Sequence, residues 1–348
     1  MRAVVYHGTS DLRVETVPVP SIRASELLVR VGACGVCPTD IKKIHHGTVS
    51  PPRIFGHETA GTIVKTGALV RGFTAGQRVA LHHHIPCLNC HACRHHAFAQ
   101  CAGYKRTGIT AGFEPAGGGF AEYVRVMEFV LPGVVPIPRK NELVEGAMLE
   151  PVNTVLKGVR QLTLLPGDFV LVAGQGPIGL MFAKILSLQK MNVIATDLMP
   201  ERLRMARRFG ARWAWRADDP NLNDHIHKAT RKRGLDAAVI AVPSDAAVRQ
   251  AQANLRGGGE ILLFGHTKRG AVTELDLSLV CVDEKQLLGS YSADFLLQKP
   301  VAKMVFSRRL DVRPLMTHTF SLEQASDAIS LAAHPRPESL KIVIGSVA

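Results

Sequence analysis

The sequence lacks several features that would place it in other classes of protein. Its 348 residues include only seven cysteines, too few for a disulfide-stapled scaffold in a chain of this length. The N-terminal residues 1–6 have no long apolar core of the signal-peptide type and are interpreted as a first strand. Internal repeats and low-complexity segments are also absent from the sequence. We therefore expect a globular, cytoplasmic protein of two domains.

Long hydrophobic runs and aromatic residues are scarce as well. The most apolar stretch, residues 169–188, is interrupted by three glycines, a proline and Lys184, which does not favour a membrane span. Aromatic residues make up 5% of the chain, which argues mildly against a large aromatic substrate.

Acidic residues are in deficit, with 29 against 42 basic residues and a net charge of +13. Such an excess can indicate nucleic acid, an anionic membrane or anionic ligands. The basic residues are spread along the chain, and the densest run, residues 228–233, is interpreted as one solvated helix face. Because no recognition motif accompanies the charge, we expect neither nucleic acid nor a membrane as a partner.

The pattern of apolar residues along the sequence changes near residue 152 and again near residue 292. Residues 1–151 contain short apolar runs broken by Gly and Pro, which predict a β-rich, barrel-like domain. Residues 152–291 alternate apolar strands with helical stretches, which predicts a doubly wound parallel sheet. The tail, residues 292–348, is expected to return to the first domain. The predicted fold class is α/β.

A glycine-rich turn of the form Gly-x-Gly-x-x-Gly follows a predicted strand and opens a predicted helix. Glycines let the backbone turn tightly and approach a pyrophosphate, and the helix N-terminus offers free N–H groups to the phosphates. The alternative is a tight strand–helix turn that binds no ligand. The candidate cofactor-binding residues of the turn are Gly174, Gly176, Pro177, Ile178 and Gly179.

Asp197 ends the next predicted strand, eighteen residues beyond Gly179. A carboxylate there accepts hydrogen bonds from the adenosine ribose hydroxyls and repels a 2′-phosphate, so the sequence favours NAD over NADP. Arg202 could soften this preference, and we count it among the cofactor-binding candidates.

Four cysteines, Cys87, Cys90, Cys93 and Cys101, lie within fifteen residues. Four thiolates about 2.3 Å from a tetrahedral zinc form a closed structural site with no room for substrate. An iron–sulfur cluster or free thiols are the alternatives. The neighbouring histidines at 82–84, 91, 95 and 96 are interpreted as surplus surface residues, with adventitious metal binding as the alternative.

Three further segments carry polar signals that are ambiguous singly: residues 37–40 (Cys-Pro-Thr-Asp), residues 56–58 (Gly-His-Glu) and residues 150–151 (Glu-Pro). Together with the cysteine lobe, the Gly-Gly-Phe-Ala-Glu-Tyr run at 118–123 and the glycine-rich turn, they resemble the zinc-containing medium-chain dehydrogenases, in the alcohol, sorbitol (polyol) and threonine dehydrogenase group. The resemblance implies a GroES-like catalytic domain split around a Rossmann domain, two zinc ions per chain, NAD, and a homodimer or homotetramer.

The same resemblance implies roles for individual residues. Cys37 and His57 would be ligands of a catalytic zinc, and Glu58 would lie beside or on the metal. Glu150 stands where polyol dehydrogenases carry a glutamate, with Glu58 or water completing the coordination sphere. Thr39 would take up the proton of the substrate hydroxyl while hydride moves to the nicotinamide.

One position departs from the family pattern. Lys42 stands where many members carry a histidine as a proton exit. Either the proton leaves by another path, such as His45 or the cofactor ribose, or Lys42 has a substrate role; the alternative is a solvated lysine. Cys34 and Cys281 are interpreted as small buried residues.

The substrate itself is poorly specified by the sequence, and a secondary alcohol of the polyol class is the first prediction. A threonine or amino-alcohol dehydrogenase is the second. The third is a zinc protein that retains NAD but has no turnover.

Overall fold

The computed structural model describes residues 1–103, 117–265, 270, 272–274 and 276–345. The chain divides into two compact units, the first formed by residues 1–153 and 293–348 and the second by residues 154–292.

The strands and helices of the described residues are numbered here in chain order. The strands are β1 (Arg2–Gly8), β2 (Asp11–Thr16), β3 (Leu27–Gly35), β4 (Arg53–Ile54), β5 (Glu58–Thr66), β6 (Arg78–Ala80), β7 (Tyr123–Val126), β8 (Val135–Pro136), β9 (Phe169–Ala173), β10 (Asn192–Asp197), β11 (Trp213–Arg216), β12 (Leu235–Ile240), β13 (Leu255–Leu263), β14 (Gln286–Gly289), β15 (Met316–Phe320) and β16 (Lys341–Gly345). The helices are α1 (Pro38–His46), α2 (His91–Arg94), α3 (Leu143–Ala147), α4 (Leu149–Arg160), α5 (Pro177–Leu188), α6 (Pro200–Arg208), α7 (Leu222–Ala229), α8 (Asp245–Asn254), α9 (Leu277–Cys281), α10 (Gln298–Phe306) and α11 (Ala325–Ala333).

The first unit is built on two mostly antiparallel sheets. In the described residues the larger sheet has the order β15-β16-β3-β5-β6-β8, with β7 also paired to β3, and the smaller has the order β2-β1-β4. Leu27 and Val29 of β3, Ile63 of β5 and Val124 of β7 are fully buried in one apolar cluster. Alternate residues of a strand share a face, so these strands bury one side in a common core.

The second unit is a parallel sheet of the order β11-β10-β9-β12-β13-β14. Strands β9 and β12 lie in the middle, and nearly all of their residues are buried, as expected when both faces of a parallel sheet are covered by helices. The order reverses between β9 and β12, which is the doubly wound arrangement. The predicted α/β fold class is confirmed.

The apolar stretch at 169–188 is divided between β9 and α5, which the glycine-rich turn separates. Across the described part of the chain, no helix combines the length and the hydropathy that a membrane crossing requires.

Candidate metal and cofactor sites

The four clustered cysteines converge on one point. Their sulfur atoms all lie within 4.8 Å of one another. Sγ of Cys93 is 3.5 Å from that of Cys90 and 4.0 Å from that of Cys87, and Sγ of Cys101 is 3.6 Å from that of Cys87. Zn–S bonds of about 2.3 Å in a tetrahedron place the sulfurs about 3.8 Å apart. These separations fit a zinc ion and are far longer than a disulfide bond.

A second set of donor atoms is formed by Cys37, His57 and Glu58, whose ligand atoms lie within 4.8 Å of one another. Cys37 immediately precedes α1, and its backbone N–H donates to the carboxylate of Asp40 at 3.2 Å, which fixes the start of the helix. His57 and Glu58 stand at the beginning of β5. A thiol, an imidazole and a carboxylate at this spacing are a suitable donor set for zinc.

Glycine allows the chain to approach closely beside His57. Gly56 has φ +95°, and a Cβ there would lie 2.7 Å from Sγ of Cys34 and 2.7 Å from the ring of Phe120. The backbone of Gly119 also donates to the carbonyl of Gly56 at 2.7 Å. The Gly-Gly-Phe run therefore packs against the segment that carries the donor set.

Asp40 orients His57. The carboxylate Oδ1 of Asp40 is 3.2 Å from Nδ1 of His57, and Asp40 is fully buried. Burial works against protonation of His57, but the charges of Asp40 and Cys37 outweigh it and raise the pKa of His57 well above its ordinary value. With Nδ1 directed at Asp40, Nε2 is the nitrogen left for a metal.

Glu58 is held by a lysine from the far end of the chain. Nζ of Lys341 donates to Oε1 of Glu58 at 2.5 Å and to the carbonyl of Val36 at 3.0 Å, and both charged side chains are buried. Burial disfavours the ammonium ion, but Glu58 overrides this effect and raises the pKa of Lys341. Gly35 leaves the space for the pair, because a Cβ there would lie 1.9 Å from Oε2 of Glu58.

Glu150 is also buried but lies outside the group of three donors. Its Oε1 is 3.7 Å from Nδ1 of His83, and the structure shows no hydrogen bond from its side chain to any other described residue. Burial raises the pKa of Glu150 to about 7, with the charge of His57 opposing and that of Glu58 adding to the rise. The charges of His57, Glu58 and Lys341 therefore all act on Glu150.

The histidines at 82–84 correct one prediction. All three are buried, whereas those at 91, 95 and 96 are exposed, so the interpretation as surface residues holds only for the second set. Nδ1 of His82 is 3.3 Å from Oε1 of Gln298, and the ring of His83 is 5.6 Å from that of His57. The histidines follow directly after β6, in the interior of the first unit, and single-sequence composition does not distinguish this position from an exposed loop.

The remaining candidates of the first unit lie on or near α1. Thr39 is half-buried in the first turn of α1, and Lys42 is half-buried further along, with its pKa lowered by burial against the opposing charge of Cys37. His45 is exposed.

Cys34 is fully buried, as predicted, and burial raises the pKa of its thiol. The prediction for Cys281 is wrong: it ends α9 at the surface of the second unit.

The glycine-rich turn has the geometry that a dinucleotide site needs. Gly174 follows β9 with φ +90°, and a Cβ on Gly179 would lie 1.8 Å from the carbonyl oxygen of Gly174, so neither accepts a side chain. Gly176 is the N-cap of α5, with Pro177 and Ile178 in the first turn. The space beside Gly176 is open, because the nearest atom to a Cβ there is Nη1 of Arg202 at 4.0 Å.

Asp197 ends β10 next to this turn. Its Oδ2 accepts a hydrogen bond from the backbone of Gln175 at 2.6 Å, and its Oδ1 accepts one from Met199 at 2.9 Å. Arg202 is buried on α6, and burial lowers its pKa against the opposing charge of Asp197. The structure thus brings all the predicted cofactor-binding residues of the second unit together.

Comparison with known proteins agrees with this description. Residues 23–139 match the alcohol dehydrogenase GroES-like domain, and residues 177–306 match the zinc-binding dehydrogenase domain. A sorbitol dehydrogenase of Bacillus subtilis is 29% identical over 99% of this chain and 97% of its own length. A D-xylulose reductase A of Aspergillus oryzae is 28% identical over 93% of this chain and 91% of its own length.

Among solved structures, a candidate zinc-binding dehydrogenase from Sinorhizobium meliloti bound to NADP superimposes with a TM-score of 0.90, at 26% identity and 99% coverage of both chains. The chain belongs to the zinc-containing medium-chain dehydrogenases. The predictions of the family, of a GroES-like domain with a Rossmann domain, and of a dehydrogenase acting on an alcohol are confirmed. Zinc and a nicotinamide cofactor are characteristic of this dehydrogenase family.

Proposed function

We propose that this medium-chain dehydrogenase oxidises a polyol, or a similar secondary alcohol, to a ketone with NAD as the acceptor, and catalyses the reverse reduction. The observation that carries the proposal is the donor set of half-buried Cys37, buried His57 and the adjoining buried carboxylates. The similarity to a sorbitol dehydrogenase and a D-xylulose reductase supports the polyol class.

The catalytic zinc is proposed to be bound by Cys37, His57 and Glu150. Glu58 lies nearer to the first two, but its negative charge is already matched by Lys341. Among the described residues no lysine or arginine forms an ion pair with Glu150, whose Oε1 lies 3.7 Å from Nδ1 of His83. A buried carboxylate without a partner is costly, and a zinc ion supplies the missing positive charge once the Glu150 side chain turns toward it. Glu58 then stays beside the metal as a further donor.

Other residues of the first unit orient the donor side chains and handle the substrate proton. Asp40 holds His57 in one tautomer, and Lys341 holds Glu58. Thr39, two residues past Cys37, would accept a hydrogen bond from the substrate hydroxyl and relay the proton, passing its own hydroxyl proton on toward solvent. Zinc held by Cys37, His57 and Glu150 would supply Lewis-acid chemistry that lowers the pKa of an alcohol hydroxyl toward neutrality, and NAD held at the glycine-rich turn would supply the hydride acceptor.

A second zinc is proposed for the four-cysteine site, where sulfur separations of 3.5–4.0 Å match a closed tetrahedral ion. NAD rather than NADP is proposed because both carboxylate oxygens of Asp197 are fixed by backbone N–H groups beside the turn. That position suits ribose hydroxyls and repels an additional phosphate.

A homodimer is proposed through the edge strand β14. Within the described residues it ends the sheet of the second unit, and Leu287 on it is 43% exposed. Leu277 and Val282 nearby are 74% and 77% exposed. An open strand edge beside exposed apolar side chains favours pairing with another copy.

The decisive experiment is a substrate panel followed by NADH absorbance, with zinc measured on the same sample. Sorbitol, xylitol and 2,3-butanediol are compared with threonine, which represents the amino-alcohol alternative. We expect two zinc ions per chain and activity with at least one polyol. Glu150→Gln should lose catalytic zinc and activity, whereas Cys37→Ser should lose both more completely.

Two results would overturn the proposal. One is metal-free protein that stays folded and fully active. The other is threonine as the preferred substrate, with polyols inert, which would assign the enzyme to the amino-alcohol alternative. Full activity of Glu150→Gln with normal zinc content would remove Glu150 from the ligand set and transfer its role to Glu58.

A further inference from the structure

The basic run at 228–233 does not form one helix face. Helix α7 ends at Ala229, and Arg231 and Lys232 follow it with positive φ angles of 53° and 65°. This conformation is uncommon for residues with a Cβ, and two in succession turn the chain sharply toward β12. The turn places Lys228 and Arg231 at the rim of a cavity of about 700 Å³ in the second unit.

The cavity lies at the amino ends of the parallel strands. Phe169 begins β9, Asn192 begins β10 and Trp213 begins β11. The glycine-rich turn and Asp197 stand at the opposite, carboxyl ends. Asn192 and Asp197 are five residues apart on one strand, or about 16 Å at about 3.3 Å per residue. The cavity is therefore separate from the cofactor-binding residues.

Aromatic rings form a row along this cavity. Trp213 and Trp215 are the only two tryptophans of the chain, and they point to the same side of edge strand β11. Their ring centroids are 6.3 Å apart with planes 28° from parallel. Trp215 stacks on His225 at 5.4 Å, and Trp213 lies 5.9 Å from Phe169. All four rings are half-buried and therefore reach both the protein and the cavity.

Cations surround the aromatic row. The described residues that line the cavity include no carboxylate, and their basic members are Arg212, Lys228, Arg231 and Arg233.

Two of these cations have structural partners within the second unit. Arg212 lies over the ring of Trp213 and donates to Asn192 at 2.8 Å. Arg233 lies over Phe169 and pairs with Asp236. Lys228 and Arg231 make no side-chain hydrogen bond or ion pair with any described residue. Two exposed cations are thus left to bind an anion.

We infer that this cavity is a nucleotide-binding site, in which a base contacts the aromatic row and Lys228 and Arg231 bind the phosphate. Planar rings and unpaired cations match the two chemically distinct parts of a nucleotide. The volume lies within the range of small-ligand sites. The same chemistry serves a free nucleotide or the nucleotides of a single strand.

Tryptophan fluorescence reports directly on this cavity, because both tryptophans line it. The zinc-loaded enzyme is titrated with GMP, with a short single-stranded oligonucleotide and with inorganic phosphate, and GMP binding is measured again by calorimetry. We expect saturable quenching by GMP and weaker binding of phosphate. An oligonucleotide that binds more tightly per nucleotide than GMP identifies strands as the source, and equal binding identifies the free nucleotide.

The test variant is Lys228→Ser with Arg231→Ser, both exposed positions. Its control is Arg208→Ser with Arg249→Ser, which removes the same charge from exposed helix positions of the same unit outside the cavity. The test variant should bind GMP about tenfold more weakly, since it loses charge-assisted hydrogen bonds, with its KM for NAD unchanged. The control should match the wild type in both.

Three results would overturn the inference. They are the absence of saturable quenching, equal affinity for GMP and phosphate, and equal losses of affinity in the test and control variants. Binding of GMP that NAD displaces at its own KM, unaltered in the test variant, would assign the quenching to the cofactor turn instead.

Discussion

Replacement of Lys341 by methionine tests whether the buried ion pair organises the metal site. Lys341 and Glu58 have side chains only 6% and 2% exposed. Methionine fills a similar volume but leaves the Glu58 carboxylate buried without its cation. Breaking a buried pair by removing one partner costs about 3–5 kcal/mol, because the remaining charge is uncompensated. We expect Lys341→Met to destabilise the first unit by that amount.

The assay is urea unfolding of the zinc-loaded enzyme, followed by circular dichroism. Lys341→Met is compared with Glu58→Gln and with the double variant, which removes both charges. If the ion pair is the source of the effect, the decrease in the free energy of unfolding of the double variant should be far smaller than the sum of the decreases in the two single variants. Lys303→Met removes an exposed lysine of α10 as a control, and we expect a change within about 0.5 kcal/mol.

Two outcomes would refute this reasoning. Additive losses in the double variant would show that the two side chains act independently, so that Lys341 does not hold Glu58. A loss in Lys341→Met no larger than that in Lys303→Met would show that the carboxylate is compensated by another group.

Three further predictions concern the proposed metal and cofactor sites. Cys101→Ser should remove about one zinc ion per chain and lower the unfolding temperature, as metal analysis and calorimetry can show; unchanged zinc content would contradict a four-thiolate site. Asp197→Ala should raise the ratio of kcat/KM for NADP to that for NAD by about tenfold or more, because the carboxylate that repels the 2′-phosphate is gone. In zinc-free protein the pKa of Glu150 rises from 4.5 to about 7, so the folded state retains a proton that the unfolded state loses between these values. The free energy of unfolding should then fall by about 3 kcal/mol at most as pH rises through that window. In urea unfolding, Glu150→Gln should show a smaller fall than the wild type. Identical pH profiles for the two proteins would contradict this prediction.

Features encoded by short-range patterns were predictable from the sequence. The four cysteines and the glycine-rich turn each lie within fifteen residues, so their spacing alone limits where the side chains can meet. The alternation of strands and helices from 169 onward likewise gave the parallel sheet. Strand β11 is only weakly marked in the sequence because it is four residues long, although Trp-Ala-Trp alternates as an edge strand should.

Features that depend on contacts between distant segments were not predictable. Lys341 and Glu58 are 283 residues apart, and no local pattern marks the lysine as the partner of that carboxylate. The burial of His83 depends on what packs around the end of β6. The basic run at 228–233 was misread because composition does not show where α7 ends, and the positive φ angles at Arg231 and Lys232 arise from the return to β12.

The charges around the proposed catalytic site indicate why the fold keeps two carboxylates there. A zinc ion carries two positive charges, which the Cys37 thiolate and the Glu150 carboxylate would balance in the proposed ligand set. Glu58 and Lys341 balance each other as a separate pair. If Glu58 moved onto zinc in place of Glu150, the Lys341 ammonium would lose its ion-pair partner. Glu150 would then be left with only the longer-range charges of His57 and Lys341. Because both losses are costly in a buried site, the arrangement favours Glu150 as the zinc ligand and Glu58 as the partner of the lysine.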